Sequence, residues 1–275
     1  PSAAKDFDLD LKVASVSGAN KQALSQVDLV LSRRAGQTQQ FRLDAILGAG
    51  QLIARGDAAG AVRAQGADAG ALLKFLDFYP RMEKGVFDLS MHNGDGVQEG
   101  TVNVRDFVLR DEPALRQLVA AGPQSGGASI DIDAVPFQKL NAAFSRTPGR
   151  VELHNSLIYD QQMGLTTKGY IDYARDRVDL SGTFVPAYQV NNLVTHIPFV
   201  GLVLGGDIHE GLFAVNYRIT GPASSPTLGV NLLSAVTPGF LRKVFGVFDG
   251  TLAGDDETSS QPIQLPVRGL TTPLR

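Results

Sequence analysis

The chain has no cysteine, which removes disulfides, thiol nucleophiles and thiolate metal sites at once. The same absence leaves the compartment open, because a cysteine-free chain suits an oxidising periplasm and a reducing cytosol equally. Positive charge is in short supply as well. Lys and Arg number 25 against 28 Asp and Glu, for a net charge of -3, so there is no basic field to hold a nucleic-acid backbone. Long apolar runs are missing too. The longest, Leu193 to Leu204, is interrupted by Thr195, His196 and Pro198, and falls short of the about 20 apolar residues that span a bilayer. No charged segment followed by an apolar run opens the sequence, so no signal peptide is read there. The chain starts with Pro1-Ser2 and enters a strand pattern within a few residues. We therefore expect a portion of a longer protein whose targeting segment lies elsewhere.

Catalytic constellations are equally sparse. His92, His154, His196 and His209 are far apart and never fall at metal-ligand spacing. Asp207-Ile208-His209-Glu210 is the one local cluster of titratable groups, and it reads as a solvated loop, since a metal site needs ligands converging from several elements. No nucleophile elbow, Walker loop or dinucleotide glycine signature follows a strand and opens a helix. Asp131 and Asp133 alternate with Ile130 and Ile132 on an expected short strand. The two carboxylates then share its wet face, where solvation explains them better than glycosidase chemistry. The expectation is a non-enzymatic protein without metal or cofactor.

What the sequence does have is alternation. Its 275 residues, 43% hydrophobic and 19% charged, with a mean hydropathy of -0.01, are ordinary globular composition. Phe7, Leu9, Leu11 and Val13 alternate with Asp6, Asp8, Asp10 and Lys12, the pattern of a strand with one apolar and one wet face. Val27, Leu29 and Leu31 continue it, then Phe41, Leu43, Ala45 and Leu47 after a turn at Ala35-Gly36. With Gly48, Gly50, Gly56 and Gly60 as punctuation, residues 1–67 read as an antiparallel meander of strands.

At Asp68 the period changes. Asp68 caps an expected helix bearing Leu72, Leu73, Phe75 and Leu76 that ends before Pro80. Strands follow at Val86 to Met91 and Thr101 to Leu109, the second with a slip between Val104 and Phe107 that predicts a bulge. A helix then starts at Asp111 or Glu112 with Pro113 in its first turn and Leu115, Leu118 and Val119 inward. The unit reads as repeated: a helix at Pro136 to Phe144, strands at Arg150 to Tyr159 and through Tyr170 to Tyr173, a hairpin turn at Ala174 to Arg177, a strand bearing Leu180 and Phe184, and a helix from Ala187 to about His196. Residues 68–250 thus form a helix-strand-strand repeat region. Its last third holds the strand of Phe213, Val215, Tyr217 and Ile219, a partner strand with Leu228, Val230 and Leu232, and a short helix from Pro238. Residues 251–275 are a polar tail, expected to be loose.

The segments Leu180 to Pro186, Ile197 to Gly201, Gly211 to Pro222, Pro226 to Ser234 and Thr237 to Arg242 carry a resemblance. They are similar to the C-terminal region of the AsmA-like superfamily, relatives of the YhdP and TamB envelope proteins of Gram-negative bacteria. The likeness is densest over residues 165–245 and rests on packing and turn motifs. It implies a mainly β fold, a long curved, mostly antiparallel sheet forming an apolar groove (taco-like) with a few short helices. It also implies a periplasmic body whose parent is anchored in the inner membrane, and a bridge-like role in carrying phospholipid between the inner and outer membranes.

On that implication the groove is lined by Phe7, Leu9, Leu11, Leu29, Leu31, Phe41, Leu43, Leu153, Leu180, Phe184, Phe213, Val215, Tyr217, Ile219, Leu228 and Val230. The partner is a phospholipid or other acyl-chain ligand. From pattern alone, a sealed sandwich core is the favoured reading of the same residues, because core is the default use of an apolar face; the resemblance is what points to a groove. A scaffold or assembly module that meets other envelope proteins through its sheet edges is the competing reading.

Overall fold

The computed structural model describes residues 6–93, 97–121, 131–160, 163–186 and 215–231. Every described residue lies in the unit Pro1–Val236. The expected helices at Ala187 to His196 and from Pro238, the Asp207 to Glu210 cluster, Phe213, Leu232 and the tail at 251–275 lie outside the described residues.

Among the described residues thirteen strands form one sheet in sequence order, and its twelve ladders are all antiparallel. The meander comprises β1 (Phe7–Ser17), β2 (Ala23–Arg34), β3 (Gln37–Leu47), β4 (Gly50–Asp57) and β5 (Val62–Gly66). Between β2 and β3 the chain turns on Ala35 and Gly36 alone, both with positive φ of 48° and 78°, the two-residue hairpin geometry that matches strand twist.

Helix α1 (Ala69–Phe75) begins where the period changes. The Asp68 carboxylate accepts from the Ala71 N–H at 2.8 Å and from the Ala49 N–H at 3.2 Å. One side chain therefore caps the helix and ties it to the β3–β4 turn. Asp68→Ala is expected to lower stability by about 1–2 kcal/mol, read as a shifted urea midpoint at unchanged slope.

Strands β6 (Met82–Asn93) and β7 (Gln98–Arg110) and helix α2 (Pro113–Ala121) follow. Pro113 occupies the first turn of α2, and Leu115 and Leu118 are buried. The slip expected in β7 takes a different form from a bulge with one unpaired residue. Arg105 and Asp106 are both exposed between buried Val104 and Phe107, with Asp106 at φ 56°. The register is nevertheless the same on either side, Arg105 facing Val86 and Phe107 facing Lys84. Lys84 and Gly85 on β6 have positive φ as well, so the neighbouring strand matches the irregularity: the Gly85–Asp106 pair is skipped and the register is not shifted.

Two sequence expectations are corrected next. Pro136 to Phe144 is not a helix but part of β8 (Ala134–Thr147), a strand of 14 residues. The spacing of Leu140 and Phe144 misleads because a separation of four puts two side chains on one face of a strand as well as of a helix. Pro136 is tolerated because it pairs with Val108 of β7 while the ladder to the next strand starts only at Lys139. Val135 and Phe137 are sealed, at 1% and 2% exposure, and Phe137 stacks on Phe107 with centroids 5.5 Å apart. The repeat therefore breaks at the first element of its second copy. Nor is Asp131 to Asp133 a strand. Ile132 and Asp133 form a turn entering β8, and the Asp133 N–H donates to the Asp131 carboxylate at 3.0 Å.

β9 (Arg150–Tyr159), β10 (Met163–Asp172), β11 (Arg177–Pro186), β12 (Val215–Gly221) and β13 (Thr227–Asn231) complete the sheet. It is strongly curved. Ala19 in the β1–β2 turn donates to the Phe75 carbonyl at 3.0 Å, and Asn20 donates to the Lys74 carbonyl at 3.0 Å. A flat sheet would hold that turn ~14–19 Å from β5, beyond the ~10 Å length of α1. Similarly α2 leaves β7 yet packs on β12 and β13, which lie ~24–29 Å away across a flat sheet. The sheet closes round both helices on its apolar side but does not seal into a barrel, since β1 and β13 do not pair.

Candidate ligand trough

Directly opposed residues of an antiparallel pair share a face, so the register can be followed across the whole sheet. One row passes through Leu9, Leu31 and Phe41, then Gly56, Val62 and Met91. It continues through Gly100, Phe144 and Leu153 to Gly169, Leu180, Ile219 and Leu228. All thirteen strands contribute, and every member is apolar or glycine. A second row, one step along the strands, starts Leu11, Leu29, Leu43 and continues through Leu89 and Val102 to Tyr217 and Val230. Twelve steps of about 4.8 Å make each row ~58 Å long.

The other face is mostly polar at the same level, Ile53 and Leu157 excepted. Lys12, Asp28 and Asp44 sit on it, and further along come Asp88, Asn103 and Asn141. Its side chains bond across strands: Asn141 to Asn103 at 2.5 Å, Asn103 to Asp88 at 3.0 Å, and Arg55 to Asp44 at 2.7 Å. The Arg218 guanidinium grips Asp179 through two bonds of 2.9 and 2.8 Å and holds that carboxyl below its usual range. Arg34 with Ser32 does the same for Asp8. This face is a solvated ladder.

Burial on the apolar face is graded along the strands. Nearest the helices the side chains are sealed, among them Val27, Ala45, Leu52, Phe87 and Val104. In the two long rows most are only half-buried, including Leu43, Leu89, Met91, Val102 and Leu180. These belong to interior strands, so their exposure is not an edge effect. The helices cover one margin of the face and leave the rest as an open apolar trough.

Fifteen of the sixteen residues expected to line a groove are described, and the register puts all fifteen on this face. They do not share one environment. Phe7 and Leu9 are exposed at the β1 edge, at 41% and 37%. Leu11, Leu29, Leu31, Phe41, Leu43, Leu153, Leu180, Ile219, Leu228 and Val230 are half-buried in the rows. Phe184 and Val215 have no exposed surface and Tyr217 has 6%, so these three pack the closed margin. Sequence reading missed Val62, Leu89, Met91, Val102 and Phe144. Their parity within each strand was the available signal, and the helical reading of β8 hid Phe144.

One polar spot interrupts the second row. The Thr167 hydroxyl donates to the Tyr217 oxygen at 2.5 Å, and Tyr217 donates to the Thr166 carbonyl at 2.9 Å. Burial pushes the Tyr217 phenol up to about 12, so it stays a neutral donor. Among the described residues no group of three or more His, Cys, Asp or Glu can hold a metal, and no helix is long and apolar enough to cross a membrane. No family model, curated protein or solved structure matches the chain.

Proposed function

We propose that this chain is a segment of a periplasmic, bridge-like lipid-transfer protein that holds phospholipid acyl chains along the trough. The observation that carries the reading is the unbroken apolar row across thirteen strands, with a second, largely apolar row beside it, both half-open in the sheet interior rather than sealed. Exposed apolar surface of this extent on a folded chain marks a binding surface. A row of ~58 Å exceeds the roughly 15 Å of one leaflet's hydrocarbon, so the trough takes several chains side by side, as a conduit requires. The likeness of residues 165–245 to the AsmA-like superfamily supports the same reading. With it come the further proposals of a non-enzymatic role in the cell envelope and a parent anchored in the inner membrane.

A second reading, assembly with envelope proteins through a sheet edge, is favoured by β1. Among the described residues that strand has no partner on its outer side, and Phe7 and Leu9 are exposed on it, the profile of an edge open to strand addition. The two readings separate on one measurement. Protein purified gently from cells and examined by native mass spectrometry, then by lipid extraction, is expected to carry at least one phospholipid per chain. A lipid-free protein overturns the conduit and leaves the edge.

A further inference from the structure

We infer that Arg33 and Arg146 take the phosphate of the phospholipid whose chains lie in the trough; this rests on the conduit reading. Among the described residues, from the sealed margin to the open hairpin ends, the register places only two charged side chains on the apolar face. Both are arginines. Arg33 faces Phe7 across β1–β2 and lies two residues beyond Leu31. Arg146 faces Gln98 and Val151 and lies two residues beyond Phe144. Two residues along a strand is one step on the same face, ~6.6 Å. Each guanidinium root therefore stands just past the first apolar row, at the open rim.

Most wet-face arginines are paired with carboxylates, although exposed Arg63 and Arg105 are not; what distinguishes Arg33 and Arg146 is their face. On the wet face Arg34, Arg42, Arg55, Arg110 and Arg218 each meet a carboxylate. Arg33 instead donates to the Gly36 carbonyl at 2.6 Å, and its Nε is buried without a hydrogen-bond partner. Arg146 donates to the neutral Gln98 side chain at 3.2 Å. Neither is matched by a carboxylate among the described residues, so two cations face the apolar side of a chain whose net charge is -3.

An amphiphile satisfies this arrangement if its chains run on the rows toward the closed margin and its anionic head reaches the rim. A guanidinium meets phosphate oxygens with parallel N–H donors, which suits arginine better than lysine. The two sites are six strands apart, ~29 Å along the sheet, so they serve two lipids in file rather than one headgroup.

The test is equilibrium binding of dioctanoyl phosphatidic acid and of dioctanoylglycerol, which differ only in the phosphate. Wild type is expected to prefer the phosphatidic acid, by about tenfold per arginine engaged. Arg33→Gln and Arg146→Gln should each cut the preference, and the double variant should abolish it while binding dioctanoylglycerol as before. Arg63→Gln, on the wet face of β5, should change nothing. Arg33→Lys should restore part of the preference, which separates lost charge from a damaged turn. A double variant that keeps the preference, or a loss as large in Arg63→Gln, overturns the inference and leaves the trough standing. Phosphatidic acid displaced by millimolar inorganic phosphate, with no diacylglycerol bound, would make the arginines a free-anion site and overturn it too. Wild type that binds neither lipid overturns the trough itself.

Discussion

Val215→Glu is expected to leave the chain largely unfolded, while Asn216→Glu, one residue on, is expected to fold normally. Val215 has no exposed surface and faces Phe184, also sealed, across β11–β12. A carboxylate there has no route to water, and the two arginines on its face stand at the opposite rim on β2 and β8, four or more strands away. It must be buried charged, or be neutralised by a strongly raised pKa, and either costs several kcal/mol. The packing of Val215 is lost in addition. Against a typical total of about 5–15 kcal/mol, that is enough to unfold a sheet held together by its one apolar face. Asn216 is exposed on the wet face, where its side chain accepts from the Thr183 hydroxyl at 2.9 Å, and a glutamate there keeps an acceptor in water. Far-ultraviolet circular dichroism and thermal melts of the pair decide the matter. A folded Val215→Glu with a near-normal transition would show that the margin by the helices is open, contrary to its burial.

The sequence made the faces legible and the layers illegible. Phe7, Leu9, Leu11 and Val13 set against Asp8, Asp10 and Lys12 determine which side of β1 is apolar, and the ladder to β2 follows from it. Asp68 marked α1 because a capping carboxylate leaves a local chemical trace. Whether an apolar face is covered, however, depends on contacts distant in sequence. Val215 and Leu180 both alternate faultlessly, yet one is sealed and the other half-open, because α2 returns from the middle of the chain to β12 and β13. Nothing local to either residue encodes that return. β8 failed for another reason: a spacing of four is even, so strand and helix both accept it, and only the long-range pairing with β7 and β9 decides between them. The rim arginines were hidden in the same way. In sequence Arg33 and Arg34 are alike, and only the register sends Arg34 to Asp8 on the wet side and Arg33 to the trough.

Leu180→Glu combined with Met91→Glu is expected to empty the trough without unfolding it. Both residues belong to the row that crosses every strand, on different halves of the sheet, and both are half-buried. Next to Leu180 the row is already thin. Gly169, its partner on β10, has φ +125° and adds no side chain to the row. A glutamate at a half-exposed site keeps its carboxylate in water, and the loss is chiefly apolar burial, about 1–2 kcal/mol per site. That corresponds to a fall in melting temperature of about 2–8 °C for each substitution in a unit of this size. Lipid feels the change more, because a bound chain covering either position must displace that water and desolvate the charge. Co-purified phospholipid should therefore drop severalfold in each single variant and nearly vanish in the double, with circular dichroism unchanged. A double variant that unfolds would mean the row is core. One that stays folded with its full lipid load would place the acyl chains somewhere other than this face.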